Sequence, residues 1–120
     1  MATQDKCCTI VPYFKINAGK LQEFKAVAAR CVEQTKSEPG CLYYGFTFNG
    51  DEGFCREGYK DGDAALAHVE NVGPLLGELL QLAQLTKLEF HGPVEELEKL
   101  RGPLSHLNGQ YFVLEYGFRR

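Results

Sequence analysis

Glu57 and His68 are the side chains of this sequence best placed to move a proton near neutral pH. Glu57 sits in the run Phe54-Cys55-Arg56-Glu57-Gly58-Tyr59-Lys60, and its own face of that run, Cys55, Glu57 and Tyr59, is otherwise uncharged. A carboxyl buried on such a face loses the hydration of its charged form, so its pKa rises toward the range a general acid or base needs. His68 follows on the helix-forming run Ala64-Ala65-Leu66-Ala67, and imidazole titrates near neutrality without help. The two could share proton transfer, with Tyr43 and Tyr59 as aromatic walls whose hydroxyls orient a substrate oxygen. Each also has an ordinary structural explanation. Glu57 could pair with a surface cation, His68 could sit at a rim or make a capping bond, and the tyrosines could pack a core.

These residues depend on a hairpin for their positions. Glu38-Pro39-Gly40 punctuates the chain, because proline fixes φ and glycine permits reversal. Cys41 to Phe48 alternates like a strand, Asn49-Gly50-Asp51-Glu52-Gly53 turns, and Phe54 to Lys60 returns. Pairing Phe48 with Phe54 sets Tyr43 opposite Tyr59 and Gly45 opposite Glu57, leaving room beside the carboxyl for a small ligand. Asp61 and Asp63 stand where helix N-caps belong.

The flanking segments complete the pattern. Cys8 to Ile16 reads as a strand, and Pro12 within it argues for a sheet edge or a bulge. Leu21, Phe24, Ala28, Cys31, Val32 and Thr35 recur at helical spacing over Lys20 to Lys36. The helix begun at Asp61 is expected to break near Gly73-Pro74, with a leucine-rich second helix after it. Thr86 to Gly92 alternates as a strand, Pro93 to Arg101 is a short charged helix, and Tyr111 to Phe118 is a last strand. The order β-α-β-β-α-β predicts an α+β, ferredoxin-like split βαβ fold with an antiparallel sheet, plus a C-terminal helix and extra strand. Helices cover one face of such a sheet. Here the other face is also apolar, which favours a sheet-on-sheet homodimer.

Composition bounds the partners. A chain of 120 residues with 44% hydrophobic content is read as one domain over 1–120 with its own core. A net charge of −3 argues against a general nucleic-acid binder. There is no apolar run long enough for a membrane span, and the start MATQDKCC lacks a signal-peptide layout, so a cytoplasmic protein is expected. Five cysteines without a CxxC pair fit reduced, buried thiols. His68, His91 and His106 are too dispersed to suggest a metal site.

Four stretches together resemble the antibiotic biosynthesis monooxygenase superfamily of dimeric α/β barrels, which includes small quinol monooxygenases. They are Asn17-Ala18-Gly19-Lys20 with Gln22-Glu23-Phe24, the segment from Ser37-Glu38-Pro39-Gly40 to Cys41-Leu42-Tyr43-Tyr44, Glu57-Gly58-Tyr59-Lys60-Asp61, and Ala64 to His68. The resemblance is good from Thr9 to Asn71 and thins afterwards, giving a family-like core of about 9–92 and an extension over 93–120. It implies a pocket between helices and sheet, and oxygenation of a small aromatic or quinol-like molecule by dioxygen without metal, flavin or other cofactor. Isomerisation of a small carbonyl compound and a non-catalytic, stress-associated binding barrel are the alternatives within the same fold. Many relatives carry Trp where this chain has Tyr59, and this chain has no Trp, which counts against heme breakdown.

Overall fold

A computed structural model describes residues 4–120, so the first three residues of the MATQDKCC start, read above for a leader, lie outside the described residues. In chain order it contains β1 (Cys8–Ile16), α1 (Leu21–Thr35), β2 (Cys41–Asn49), β3 (Glu52–Tyr59), α2 (Gly62–Leu82), β4 (Ala83–Gly92), α3 (Val94–Arg101), a 3-10 turn over Ser105–Leu107, and β5 (Gln110–Val113). The strands form one sheet in the order β2-β3-β1-β4-β5. The first four are antiparallel, as the ferredoxin-like order requires, but β5 pairs parallel to β4. The sheet is therefore mixed. β5 can run parallel because α3 and the following turn carry the chain back before it joins the edge, as parallel pairing demands.

β1 alternates buried Cys8, Ile10, Pro12, Phe14 and Ile16 with less buried Thr9, Val11 and Tyr13. Its position corrects the edge reading of Pro12. β1 is the centre of the sheet, and the ladder to β3 skips Val11 and Pro12, where the proline has no N–H to give. A bulge against β4 follows at once: Tyr13 opposes Lys87 and Phe14 opposes Leu85, leaving Thr86 extra, its hydroxyl donating to the Tyr13 carbonyl at 3.2 Å.

α2 is likewise one helix from Gly62 to Leu82, with no break at Pro74. Pro74 removes the bond to the Glu70 carbonyl, but both residues are exposed, so water can satisfy that oxygen. The buried stripe Ala65, His68, Val72, Leu75 and Leu79 runs through both halves and holds them in line.

Two apolar clusters fill the space under the helices. One gathers Phe14, Ile16, Phe24, Val27, Leu75 and Leu79. The other joins Ile10, Tyr59, Ala65, Leu88 and Phe90 to Leu97, Leu100 and Leu104 of the C-terminal segment. α3 also completes the start of α2. Asp61 accepts the Ala64 N–H at 2.9 Å, and Glu96 of α3 accepts the Gly62 N–H at 2.9 Å, so two N-terminal donors of the helix are met. Gly62 is needed there, since a Cβ would lie 2.5 Å from the Glu96 carbonyl oxygen. Among the described residues no helix lies over the opposite face of the sheet, which presents Tyr13, Tyr43, Phe54, Arg56, His91 and Phe112.

Candidate active site

The hairpin register decides which side chains meet. The chain reverses at Gly50-Asp51, with Gly50 at φ 60°, so Asn49 pairs with Glu52 and Phe48 with Gly53. The turn is shorter than the five residues expected, and every partner moves by one. Tyr44, not Gly45, stands opposite Glu57, and Gly45 stands opposite Arg56. Tyr43 pairs with Gly58 on the uncovered face, next to a bulge at Leu42. Its ring lies where a Gly58 Cβ would be, with the Arg56 guanidinium 4.7 Å from the ring centre. Tyr43 is thus separated from Glu57 and His68 by the thickness of the sheet.

Glu57, His68 and Tyr59 do come together under the helices. Glu57 and His68 are 4% and 3% exposed. The Tyr59 hydroxyl donates to Glu57 Oε1 at 2.6 Å, and His68 Nε2 is 3.4 Å from the same oxygen. The His68 ring packs between Tyr44, centroids 5.0 Å apart, and Tyr59, at 4.9 Å. Tyr59 is fully buried and does not line the cavity. Its hydroxyl holds the carboxyl.

Sequence reasoning passed over three members of the site. Glu38, treated as turn punctuation, reaches His68 Nδ1 with both oxygens, at 2.9 and 3.1 Å. Asn71, one turn beyond His68 on α2, donates to Glu38 Oε2 at 2.7 Å. Tyr44 lines the cavity, and its hydroxyl meets the thiols of Cys31 and Cys55. The signal for Asn71 was its i+3 spacing from His68, which puts both on one helix face.

The electrostatics follow from burial. Desolvation pushes the Glu57 carboxyl up to about 7, against the opposing pull of the Tyr59 hydroxyl and the Cys55 thiol, with the nearby Glu38 charge adding to the rise. Desolvation also lowers His68, although the Glu38 charge and hydrogen bond resist it. Both shifts favour the neutral forms, so Glu57 is poised to hold or release a proton near neutrality beside a largely neutral imidazole. Tyr44 and Tyr59 are pushed up by burial and stay protonated. Cys31 and Cys41 rise to about 11 and Cys55 also rises, which makes them poor nucleophiles. His91 stacks on Phe112 on the uncovered face, and His106 is exposed.

A cleft opens beside Glu57 and His68, lined otherwise by apolar side chains such as Ile10, Phe14, Val72, Leu79, Leu88 and Phe90. Its cavity volume is about 60 Å³, or about 610 Å³ of atom-free space when the open mouth is included. Leu107, from the turn after α3, supplies part of the wall. Among the described residues no group of three His, Cys, Asp or Glu side chains is arranged to hold a metal ion, and no helix is long and apolar enough to cross a membrane.

The family model for antibiotic biosynthesis monooxygenase matches residues 8–72, more than half of the chain and the part that carries β1 to His68. The chain belongs to this family. MupZ from Pseudomonas fluorescens, a solved structure, is similar at 47% identity and TM-score 0.94, covering 100% of this chain and 94% of that one, so the likeness extends through α3 and β5. SnoaB from Streptomyces nogalater, described as a cofactor-independent oxygenase, was solved as a point mutant. It shares the fold at 20% identity and TM-score 0.59, over 71% of this chain and 88% of that one. A conserved protein from Methanosarcina mazei Go1 does so at 21% identity and TM-score 0.65, over 72% and 89%. No curated protein matches the chain.

Proposed function

We propose that this chain is an acid–base enzyme of the monooxygenase family, acting on a small, mostly apolar, aromatic or quinol-like molecule with dioxygen as co-substrate. The observation that supports it is a carboxyl poised near neutrality at the polar floor of an otherwise apolar cleft, touching a buried histidine. In its ionised form Glu57 takes the acidic proton of the bound molecule. The electron-rich anion then reacts with dioxygen, and the proton held by Glu57 returns as oxygen-borne charge develops. His68 carries the proton with Glu57 and orients it. Tyr44 takes the wall position first assigned to Tyr43, and Tyr59 fixes the carboxyl from behind. SnoaB, a cofactor-independent oxygenase of the same fold, agrees with this direction.

A second reading is isomerisation of a small carbonyl compound. The near-neutral pKa of Glu57 favours it, because a single carboxyl can then remove a proton from one carbon and return it to another. Oxygen separates the readings. Purified, metal-stripped protein is mixed with a panel of hydroquinones and polyphenols in an oxygen electrode, with Glu57→Gln and His68→Ala run alongside. Oxygen uptake that needs no added cofactor and falls in both variants is the expected result. Turnover equal to wild type in both variants refutes the assignment of the pair. No uptake, with solvent deuterium entering a carbonyl panel at carbon, replaces oxygenation by isomerisation.

A further inference from the structure

His68 connects two carboxyls in different surroundings. On its Nε2 side is Glu57, whose side chain is 5% exposed and lines the cleft. On its Nδ1 side is Glu38, whose side chain is 11% exposed, lies in the turn between α1 and β2, and is not part of the cleft wall. We propose that Glu38 is the outlet of a proton path, Glu57–His68–Glu38, through which the cleft carboxyl exchanges its proton with solvent behind the substrate rather than through the mouth.

Several features of the geometry carry this inference, which rests on the reading of Glu57 as the proton-transfer group. Glu38 presents both oxygens to one ring nitrogen, and Asn71 donates to Oε2 of the same carboxyl, fixing its orientation. The Nδ1–H therefore points at Glu38, which leaves Nε2 without a proton, 3.4 Å from Glu57 Oε1. The hop balances. Nε2 takes the Glu57 proton while Nδ1 gives its own to Glu38, and Glu38 releases it to water; the reverse hop reloads Glu57 and restores the tautomer. A substrate filling the apolar cleft would cut Glu57 off from water on its own side, so a rear exit keeps the carboxyl in equilibrium with solvent while the cleft is occupied. The other groups facing the path are the hydroxyls of Tyr44 and Tyr59 and the thiols of Cys31, Cys41 and Cys55, all held protonated by burial. Among the described residues neither carboxyl pairs with Lys or Arg, so no fixed cation competes for the moving proton.

The test is exchange of the His68 imidazole N–H with water, read by nitrogen-15 NMR on the full chain without substrate. Glu38→Gln keeps the shape and the hydrogen bond to Nδ1 but cannot carry a proton. It is expected to leave the His68 tautomer intact and slow exchange on the order of tenfold or more. Formate added to the buffer restores the rate in Glu38→Gln and changes wild type little, and Glu38→Asp, which can still carry a proton, exchanges faster than Glu38→Gln. Asn71→Ala gives an intermediate rate and serves if Glu38→Gln fails to fold. Wild-type exchange in Glu38→Gln with the tautomer kept overturns the proposal, as does a slowed rate that formate does not restore. Turnover reports separately on the active-site reading. Activity lost in Glu57→Gln but independent of Glu38 and of buffer strength removes the path and leaves the active-site reading standing. Activity kept in Glu57→Gln removes that reading, and the exchange rates still decide the path.

Discussion

Replacing Glu57 with Gln should change how stability depends on pH, in a direction fixed by the sign of the pKa shift. The carboxyl titrates at about 7 in the folded chain against 4.5 as its ordinary value. Between those two values the unfolded chain has lost the proton and the folded chain has kept it, so folding binds a proton and stability falls as pH rises. At 1.36 kcal/mol per pH unit, that gap corresponds to about 3 kcal/mol, fully present below pH 4.5 and gone above pH 7. Gln keeps the size and the acceptor for the Tyr59 hydroxyl but does not titrate. His68 works the other way, because its folded value is lowered and its contribution grows as pH rises toward 6.5. That trend is common to both proteins, so it largely cancels in their difference. Urea unfolding followed by far-ultraviolet circular dichroism, at one protein concentration from pH 4.5 to 8, gives the curves; the chain has no tryptophan to report by fluorescence. The expected result is a loss of wild-type stability relative to Glu57→Gln of about 3 kcal/mol across that range. A difference that stays constant with pH would mean that Glu57 titrates like an exposed carboxylate, and the argument from burial would be wrong.

Three further outcomes follow from the packing. Gly62→Ala drives a methyl against the Glu96 carbonyl, 2.5 Å from the ideal Cβ, and should cost about 1–3 kcal/mol in thermal or urea unfolding. Leu97→Ala empties a fully buried position in the cluster that joins α3 to Tyr59 and Phe90, and should cost about 2–5 kcal/mol by the same measurement. If the uncovered sheet face with Tyr43, Phe54 and Phe112 seats a second copy, light scattering at micromolar concentration should give twice the 13.4 kDa chain mass. A monomer mass there refutes the sheet-on-sheet pairing.

The parts of the fold that sequence showed well were those governed by periodicity. The alternation of β1 and the helical spacing of Phe24, Ala28 and Cys31 each pointed to one buried face, and those faces are buried. The burial of Glu57 and His68 was legible for the same reason: each is a titratable group placed in an apolar stripe. What failed depended on single residues of count or on distant neighbours. A one-residue error in the hairpin register put Tyr43 and Tyr44 on the wrong faces. Pro74 suggested a break because the tertiary stripe that keeps α2 straight was not weighed against it. Glu38 looked like part of a turn, since its partner His68 is brought to it only by packing α2 against that turn.

The sheet order also sets a schedule for synthesis. β1 leaves the ribosome before the other strands, yet it is the centre of the sheet, and its ladders close only when residues 52–59 and then 83–92 have followed. Until then its row of apolar side chains and its unpaired backbone stay open to other chains. Glu57 and His68 meet under the same constraint, because both lean on β1 and β4 through the shared cleft. Closure of the sheet is therefore late and long-range, and β1 has both its partners only when β4, in the second half of the chain, has been made.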